Sequence, residues 1–149
     1  YKFKQLFNSS LATPLQREGV MSLLILDIDY FKQVNDRFGH NIGDVVLQEV
    51  AALLKGEIRE IDIVCRWGGE EFVVLLPTAS IEQAVVIAEK LRNKIASLEI
   101  KVVGNISASF GVAEIDKKIF LEDLIAKADE ALYKAKSTGR NKVVAYKEL

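Results

Sequence analysis

The apolar positions of this chain follow two periods in turn. Ser22 to Ile28 (SLLILDI) is almost wholly apolar and ends in Asp27-Ile28-Asp29. Such a run predicts a central strand buried on both faces, with carboxylates at its end. Residues 30–38 read as a short helix stopped by Gly39, and a longer helix opens at Asn41 or Asp44 and runs through about Lys55. It turns Val46, Val50, Leu53 and Leu54 inward. Asp62 to Trp67 and Phe72 to Leu76 read as two short strands. Gly68-Gly69 between them predicts a tight hairpin, because glycine accepts positive φ. Ser80-Ile81-Glu82-Gln83 is a capping box. It opens a helix with Ile81, Ala84, Val85, Ala88, Leu91 and Ile95 on one face. Ile106, Ala108, Phe110 and Val112 alternate with Ser107, Ser109 and Gly111, the period of a strand. Leu121, Leu124, Ile125, Ala128, Leu132 and Ala135 stripe another helix, with Gly139 as its expected C-cap. Lys142 to Tyr146 gives a last strand. At the front, Phe3, Leu6, Phe7 and Leu11 have helical spacing, and Thr13-Pro14 is expected to break that helix.

The order is helix, strand, helices, hairpin, helix, strand, helix, strand. A hairpin in the middle argues against a simple doubly wound parallel sheet. An α+β fold fits better: a βαββαβ core, ferredoxin-like or palm-like, with a mixed, largely antiparallel sheet flanked by helices in a two-layer or three-layer sandwich.

Composition refines this only at the edges. The 149 residues, half of them hydrophobic, suffice for one domain over 1–149 with its own core. Twenty basic and 21 acidic side chains leave a formal charge of -1, which argues against binding a nucleic-acid polymer by bulk charge. The one cysteine, Cys65, can build neither a disulfide framework nor a cysteine zinc site, and it reads as core packing. A reducing, cytoplasmic location fits, with tethering to a membrane through a missing region left open. No apolar run of about 18 residues or signal peptide appears. The chain starts at Tyr1 without a methionine and is expected to be a piece of a longer protein.

The stretch richest in chemistry is Cys65-Arg66-Trp67-Gly68-Gly69-Glu70-Glu71-Phe72. Adjacent carboxylates cost energy unless a positive charge sits beside them. In a split βαβ core the first strand and the hairpin are near neighbours, so Asp27, Glu70 and Glu71 could meet at one end of the sheet. An all-oxygen set suits Mg²⁺ or Mn²⁺. On spacing alone, an exposed acidic turn explains the pair equally well.

Arg66-Trp67-Gly68-Gly69-Glu70-Glu71-Phe72 resembles the signature of the GGDEF-domain diguanylate cyclases, in its GGEEF form. These bacterial nucleotidyltransferases join two GTP molecules into cyclic di-GMP. Asp27 to Lys32, Asn35 to His40 with Gly43-Asp44, and Ala128 to Lys136 with Gly139-Arg140-Asn141 are similar to further blocks of that family, in the same order. The resemblance covers about residues 20–147. The front departs from it: the family's usual Asp-x-Leu-Thr-x-Leu-x-Asn-Arg-Arg opening is lacking. That loss is expected to loosen the first helix and to weaken coupling to an upstream sensory or dimerisation region, without touching the active site.

The resemblance implies roles residue by residue. Asp27, the carbonyl of Ile28 and Glu70 would ligate metal, with Glu71 as a second ligand or orienter and two ions per half-site. Glu70 would also accept the proton of the attacking 3′-hydroxyl. Lys32 would stabilise charge on the transferring phosphoryl, a solvated helix lysine being the alternative. Backbone N–H groups around Tyr30 and Phe31 would hold phosphate oxygens. Lys136 and Arg140 would clamp the terminal phosphates, with helix-end charge compensation as the alternative. Asn35 and Asp44 would read guanine, with a helix N-cap or first-turn acid as the alternative for Asp44, which could be both. Asp29 leans to a structural, hydrogen-bonding role, His40 to a structural one, and Trp67 to packing in the core or shielding the hairpin.

Arg59-Glu60-Ile61-Asp62 is an RxxD in the register that marks the family's product-inhibition site, with Lys90 standing where a second arginine is usual. The resemblance thus implies a GTP-binding, magnesium-dependent cyclase in bacterial signalling. It would work as a two-chain, face-to-face assembly under allosteric product inhibition. Three rivals remain: a catalytically silent cyclic di-GMP sensor, a cyclase making mixed or adenine dinucleotides, and an RNA-binding βαββαβ module. The last lacks surface aromatics and net positive charge.

Overall fold

The computed structural model describes residues 20–115 and 121–147. The expected first helix with its Thr13-Pro14 stop lies outside them, as does the side chain of Leu121. The elements are β1 (Met21–Ile28), α1 (Phe31–Phe38), α2 (His40–Glu57), β2 (Ile63–Arg66), β3 (Glu71–Pro77), α3 (Ile81–Ala96), β4 (Ala108–Ile115), α4 (Leu121–Ser137) and β5 (Val143–Ala145). They form one sheet in the order β2-β3-β1-β4-β5. β1 runs antiparallel to both neighbours, β2 antiparallel to β3, and β5 parallel to β4. The sheet is therefore mixed and largely antiparallel, and its first four strands carry the βαββαβ order.

Alternate residues of β1 divide the core in two. Leu24, Leu26 and Ile28 pack with α1, α2 and α3, whereas Met21, Leu23 and Ile25 pack with Leu124, Ala128 and Leu132 of α4. Of the two layerings left open by the sequence, the three-layer one is adopted. Every residue of β1 is buried, as expected of a strand covered on both faces. On the α4 side, a Cβ placed on Gly111 would stand 2.1 Å from the Ala128 carbonyl oxygen and 2.5 Å from the Leu132 nitrogen. The helix backbone rides directly on the strand, and only glycine permits it.

Two local expectations change. Neither Gly68 nor Gly69 takes a left-handed φ, although the hairpin forms. It is closed by the Trp67 N–H donating to the Glu71 carbonyl at 2.8 Å. The Arg66 guanidinium supports it, donating to the Gly69 carbonyl at 2.7 Å. A Cβ on Gly69 would meet nothing within 4 Å, so this glycine leaves open space beside the loop. The second change is at α2, which begins at His40 rather than at Asn41 or Asp44. Gly39, at φ 92, turns the chain from α1 into α2 with no other linker. Asp44 is thus an interior residue of α2, and its reading as an N-cap or first-turn acid falls away. The Ser80 capping box is formed in full.

Candidate active site

The site lies where β1 ends. In the sheet register Asp27 sits opposite Glu71 of β3 and Ser109 of β4. The Ile28 N–H donates to the Glu70 carbonyl at 3.4 Å, which holds the hairpin against the last residue of β1. The central position of β1 therefore brings Asp27, Ile28, Glu70 and Glu71 to one end of the sheet.

Asp27 is buried and shares the α4 face with Leu23 and Ile25. Its Oδ2 accepts from the Lys136 ammonium in an ion pair. Its Oδ1 has no partner among the described residues. Burial pushes the Asp27 carboxyl up from its ordinary pKa against the pull of Lys136, and the charges of Glu70 and Asp29 push the same way. Glu71 is also raised, first by burial, then by Asp27 and Asp129, with Lys136 opposing. Asp129 is the acid that sequence reasoning missed. It lies within the Ala128 to Lys136 block, and the resemblance gives it no role of its own. Its signal was available, because Asp129 and Lys136 are seven residues apart on α4, two turns on one face.

Among the described residues, no group of three His, Cys, Asp or Glu side chains converges as a finished metal cluster. Mg²⁺ characteristically takes one or two carboxylates and completes its shell with water and substrate phosphates. The all-oxygen donors and the unpartnered, buried Asp27 Oδ1 fit an ion of that kind.

Asp29, two residues on, is in the opposite situation. Its Oδ1 accepts from the Ser109 hydroxyl at 2.6 Å, and its Oδ2 from the Ser107 hydroxyl at 2.6 Å and the Asn141 N–H at 3.0 Å. These bonds tie the end of β1 to the start of β4 and to the turn after α4, the hydrogen-bonding role expected of it. Tyr30 follows in the left-handed region at φ 58, and α1 begins at Phe31 with no side-chain cap. Helix N–H groups without a cap are available to an anion. Arg140 stacks on the exposed Tyr30 ring with its guanidinium carbon 4.8 Å from the centroid. Lys32 is exposed on the first turn of α1. Thus Tyr30, Phe31, Lys136 and Arg140 do gather around the end of β1.

Asn35 rests on Gly43, the residue before Asp44 on α2. A Cβ there would lie 1.9 Å from Asn35 Oδ1, so the amide rests directly over the α2 backbone beside Asp44. Asp44 lines a cleft of about 430 Å³ together with Leu47, Ala51, Val64 and Phe72. Cys65 is half-buried at the margin of the core and reaches this cleft, and so is not plain core. Trp67 is 42% exposed on the hairpin, outside the core. His40 is exposed at the start of α2.

The RxxD closes on itself. Arg59 Nη2 donates to Asp62 Oδ1 at 2.6 Å and to the Pro77 carbonyl at 2.7 Å, and the Arg59 N–H donates to Asp62 Oδ2 at 2.8 Å. The Asp62 side chain is 1% exposed and that of Arg59 45%. Asp62 is thus spent on its own arginine and offers little to a guanine. Lys90 on α3 pairs with Glu57 at 3.2 Å, two residues before Arg59 in the chain. With Lys94 on the other oxygen, the two lysines hold Glu57 below the ordinary carboxylate range.

Comparison with known proteins agrees with this geometry. The family model "Diguanylate cyclase, GGDEF domain" matches residues 1–142, and so reaches further forward than the motifs do. The chain is 44% identical over 130 residues to the response regulator PleD of Caulobacter vibrioides, covering 83% of this chain and 29% of that protein. Its structure is similar to the GGDEF domain of DgcB from Caulobacter crescentus in complex with c-di-GMP, with TM-score 0.91 and 30% identity over 98% of this chain and 89% of that one. It is also similar to the active GGEEF domain of a diguanylate cyclase from Vibrio cholerae, with TM-score 0.87 and 32% identity over 99% and 94%. The chain spans 29–37% of the length of PleD, DgcM and diguanylate cyclase A, curated relatives that it matches. On its motifs, its sheet and these matches, the chain belongs to the GGDEF-domain diguanylate cyclase family.

Proposed function

We propose that this chain condenses two GTP molecules into cyclic di-GMP with release of two pyrophosphates. The observation that carries the reading is the juxtaposition at the end of β1. Asp27 faces Glu71, Glu70 is bonded back to Ile28, and the uncapped start of α1 lies alongside. Acids and anion-binding groups share one end of the sheet, the pairing that metal-assisted phosphoryl transfer needs.

Asp27, the Ile28 carbonyl and Glu70 would hold the divalent ions, with Glu71 orienting the set. Mg²⁺ or Mn²⁺, when bound, supplies positive charge that polarises the α-phosphate. The N–H groups near Tyr30 and Phe31 seat phosphate oxygens, Lys136 and Arg140 hold the outer phosphates, and Lys32 offsets charge that develops on the transferring phosphoryl. Glu70 takes the proton of the attacking 3′-hydroxyl. Asp44 accepts from the N1–H and N2–H₂ edge of guanine, with Asn35 beside it. Adenine offers neither donor there, so it would leave a carboxylate unpaired. Each chain holds one GTP, so the reaction needs a second copy face to face.

Product feedback acts through Arg59. Because Asp62 is already engaged, its part is to hold the guanidinium plane, and Arg59 presents that plane to a guanine of the product. Lys90 lies on the neighbouring helix. The reaction takes place in the cytoplasm, where GTP is available. Incubation with equal GTP and ATP in Mg²⁺, followed by chromatography of the products, tests the reading. Cyclic di-GMP alone is expected, and mixed or adenine dinucleotides would refute the base-reading assignment.

A further inference from the structure

Lys136 makes a contact that its place at the phosphates does not use. α4 carries it two turns beyond Asp129 and over the end of β1, where its ammonium donates to Asp27 Oδ2. The pair is lopsided: the Asp27 side chain is 7% exposed and that of Lys136 31%. Asp27 lies within the influence of Glu70, Asp29 and Glu71, and Glu71 within that of Asp129. A carboxylate taken out of water among other carboxylates is costly without a counter-ion. Lys136 supplies that charge, yet it covers only one oxygen and leaves Oδ1 unpartnered.

We infer that Lys136 is a built-in stand-in for the metal. Its ammonium neutralises Asp27 while the site is without nucleotide, then gives way to the dication that arrives with GTP and moves its own charge to the phosphates. The inference rests on Asp27 being a metal ligand. The exchange is favourable in both directions of charge: the acids gain two positive charges for one, and the triphosphate receives the displaced lysine. A four-carbon stem with a partly exposed head can make that move. A metal ion arriving alone at Oδ1 meets the charge of Lys136 on Oδ2, with no anion to draw that lysine away. The ion therefore binds weakly by itself and tightly with nucleotide, and Lys136 is what couples the two events.

The test is a titration of the whole chain with Mn²⁺ alone, free ion being read by electron paramagnetic resonance. Lys136→Met is expected to bind Mn²⁺ at least about fivefold more tightly than the parent, because one opposing charge at contact distance is gone. Lys134→Met removes an equal charge from an exposed position of the same helix and is expected to stay within about twofold of the parent. In chelator, Lys136→Met is expected to melt below the parent, and Mn²⁺ is expected to raise its melting point by more. Should the methionine variant fail to fold, Lys136→Gln keeps a donor for Asp27 without the charge and carries the same expectation for Mn²⁺ affinity. Equal Mn²⁺ affinity in the parent and the folded Lys136 variant would overturn the stand-in. A second titration, with an α,β-methylene analogue of GTP present, tests the premise separately. Asp27→Asn is expected to lose the Mn²⁺ that the parent retains. If it keeps that Mn²⁺, the ligand role of Asp27 fails, whatever Lys136 does.

Discussion

Asp27 and Asp29 are the same residue type two positions apart, and their surroundings give them opposite work. Asp29 has both oxygens filled by Ser107, Ser109 and the Asn141 N–H, so it holds the fold. Asp27 has one oxygen on the partly exposed Lys136 and the other without a partner among the described residues, so it can take a ligand. Asp29→Ala leaves the Ser107 and Ser109 hydroxyls without their acceptor and the Asn141 N–H with Ser109 Oγ alone, at 3.2 Å, which should cost about 2–4 kcal/mol of stability. A urea melt measures it, and a cost under about 1 kcal/mol would show that the network is dispensable. Glu70→Gln, by contrast, should retain the parent melt and lose turnover by at least about a hundredfold, since it removes both a proposed ligand and the proposed proton acceptor. Near-parental cyclisation by that variant would sink the assignment. Asp44→Ser should reduce GTP-over-ATP discrimination by about tenfold or more, a polar mismatch being worth roughly 1–3 kcal/mol. Unchanged selectivity would move base reading elsewhere. Most of these residues were legible in the sequence through the resemblance, because motif spacing survives folding. The partner of Asp27 was not: Lys136 lies 109 residues away, and only α4 lying across the sheet brings the two together.

At the scale of elements, hydrophobic periodicity located the strands and helices of the described residues, because each buries a face whose period its backbone dictates. It failed where a residue answers to a distant element. Gly68 and Gly69 looked like residues chosen for positive φ, but neither uses it. Glycine also serves where backbone or ligand comes close, and local sequence does not separate the two uses. Ser109 looked like the polar face of an alternating strand. It is fully buried, because the Asp29 carboxylate reaches over from beyond the end of β1 to receive its hydroxyl. Gly111 in the same strand is the close-approach case: Gly111→Ala drives a methyl group into the backbone of α4. Because backbone cannot yield as a side-chain tip can, the cost should reach about 3 kcal/mol, the upper part of the overpacking range. Equilibrium unfolding of the variant checks this, and a loss under about 1 kcal/mol would mean that α4 is not seated on β4 as described.

The whole molecule presents the proposed nucleotide half-site at one end of the sheet and the Arg59–Asp62 turn at the other end of the hairpin strands, beside Pro77. Since Arg59 touches no proposed metal or GTP ligand, Arg59→Ala should abolish binding of cyclic di-GMP in calorimetry and leave turnover equal or higher. Equal binding by parent and variant would reduce the RxxD to an ordinary ion pair. Lys90→Arg should tighten product binding by adding a forked donor. The resemblance put Asp62 in the product-inhibition site, and no motif could reveal that its own arginine already occupies the carboxylate. The central claim belongs to this scale, because the proposed reaction requires two half-sites to meet. The direct test is mass spectrometry of the nucleotides after incubating the chain, at high concentration, with GTP and Mg²⁺. The account predicts cyclic di-GMP with two pyrophosphates per product, at a rate that rises with more than the first power of chain concentration. Intact GTP at every concentration, in a chain that binds cyclic di-GMP, would contradict it.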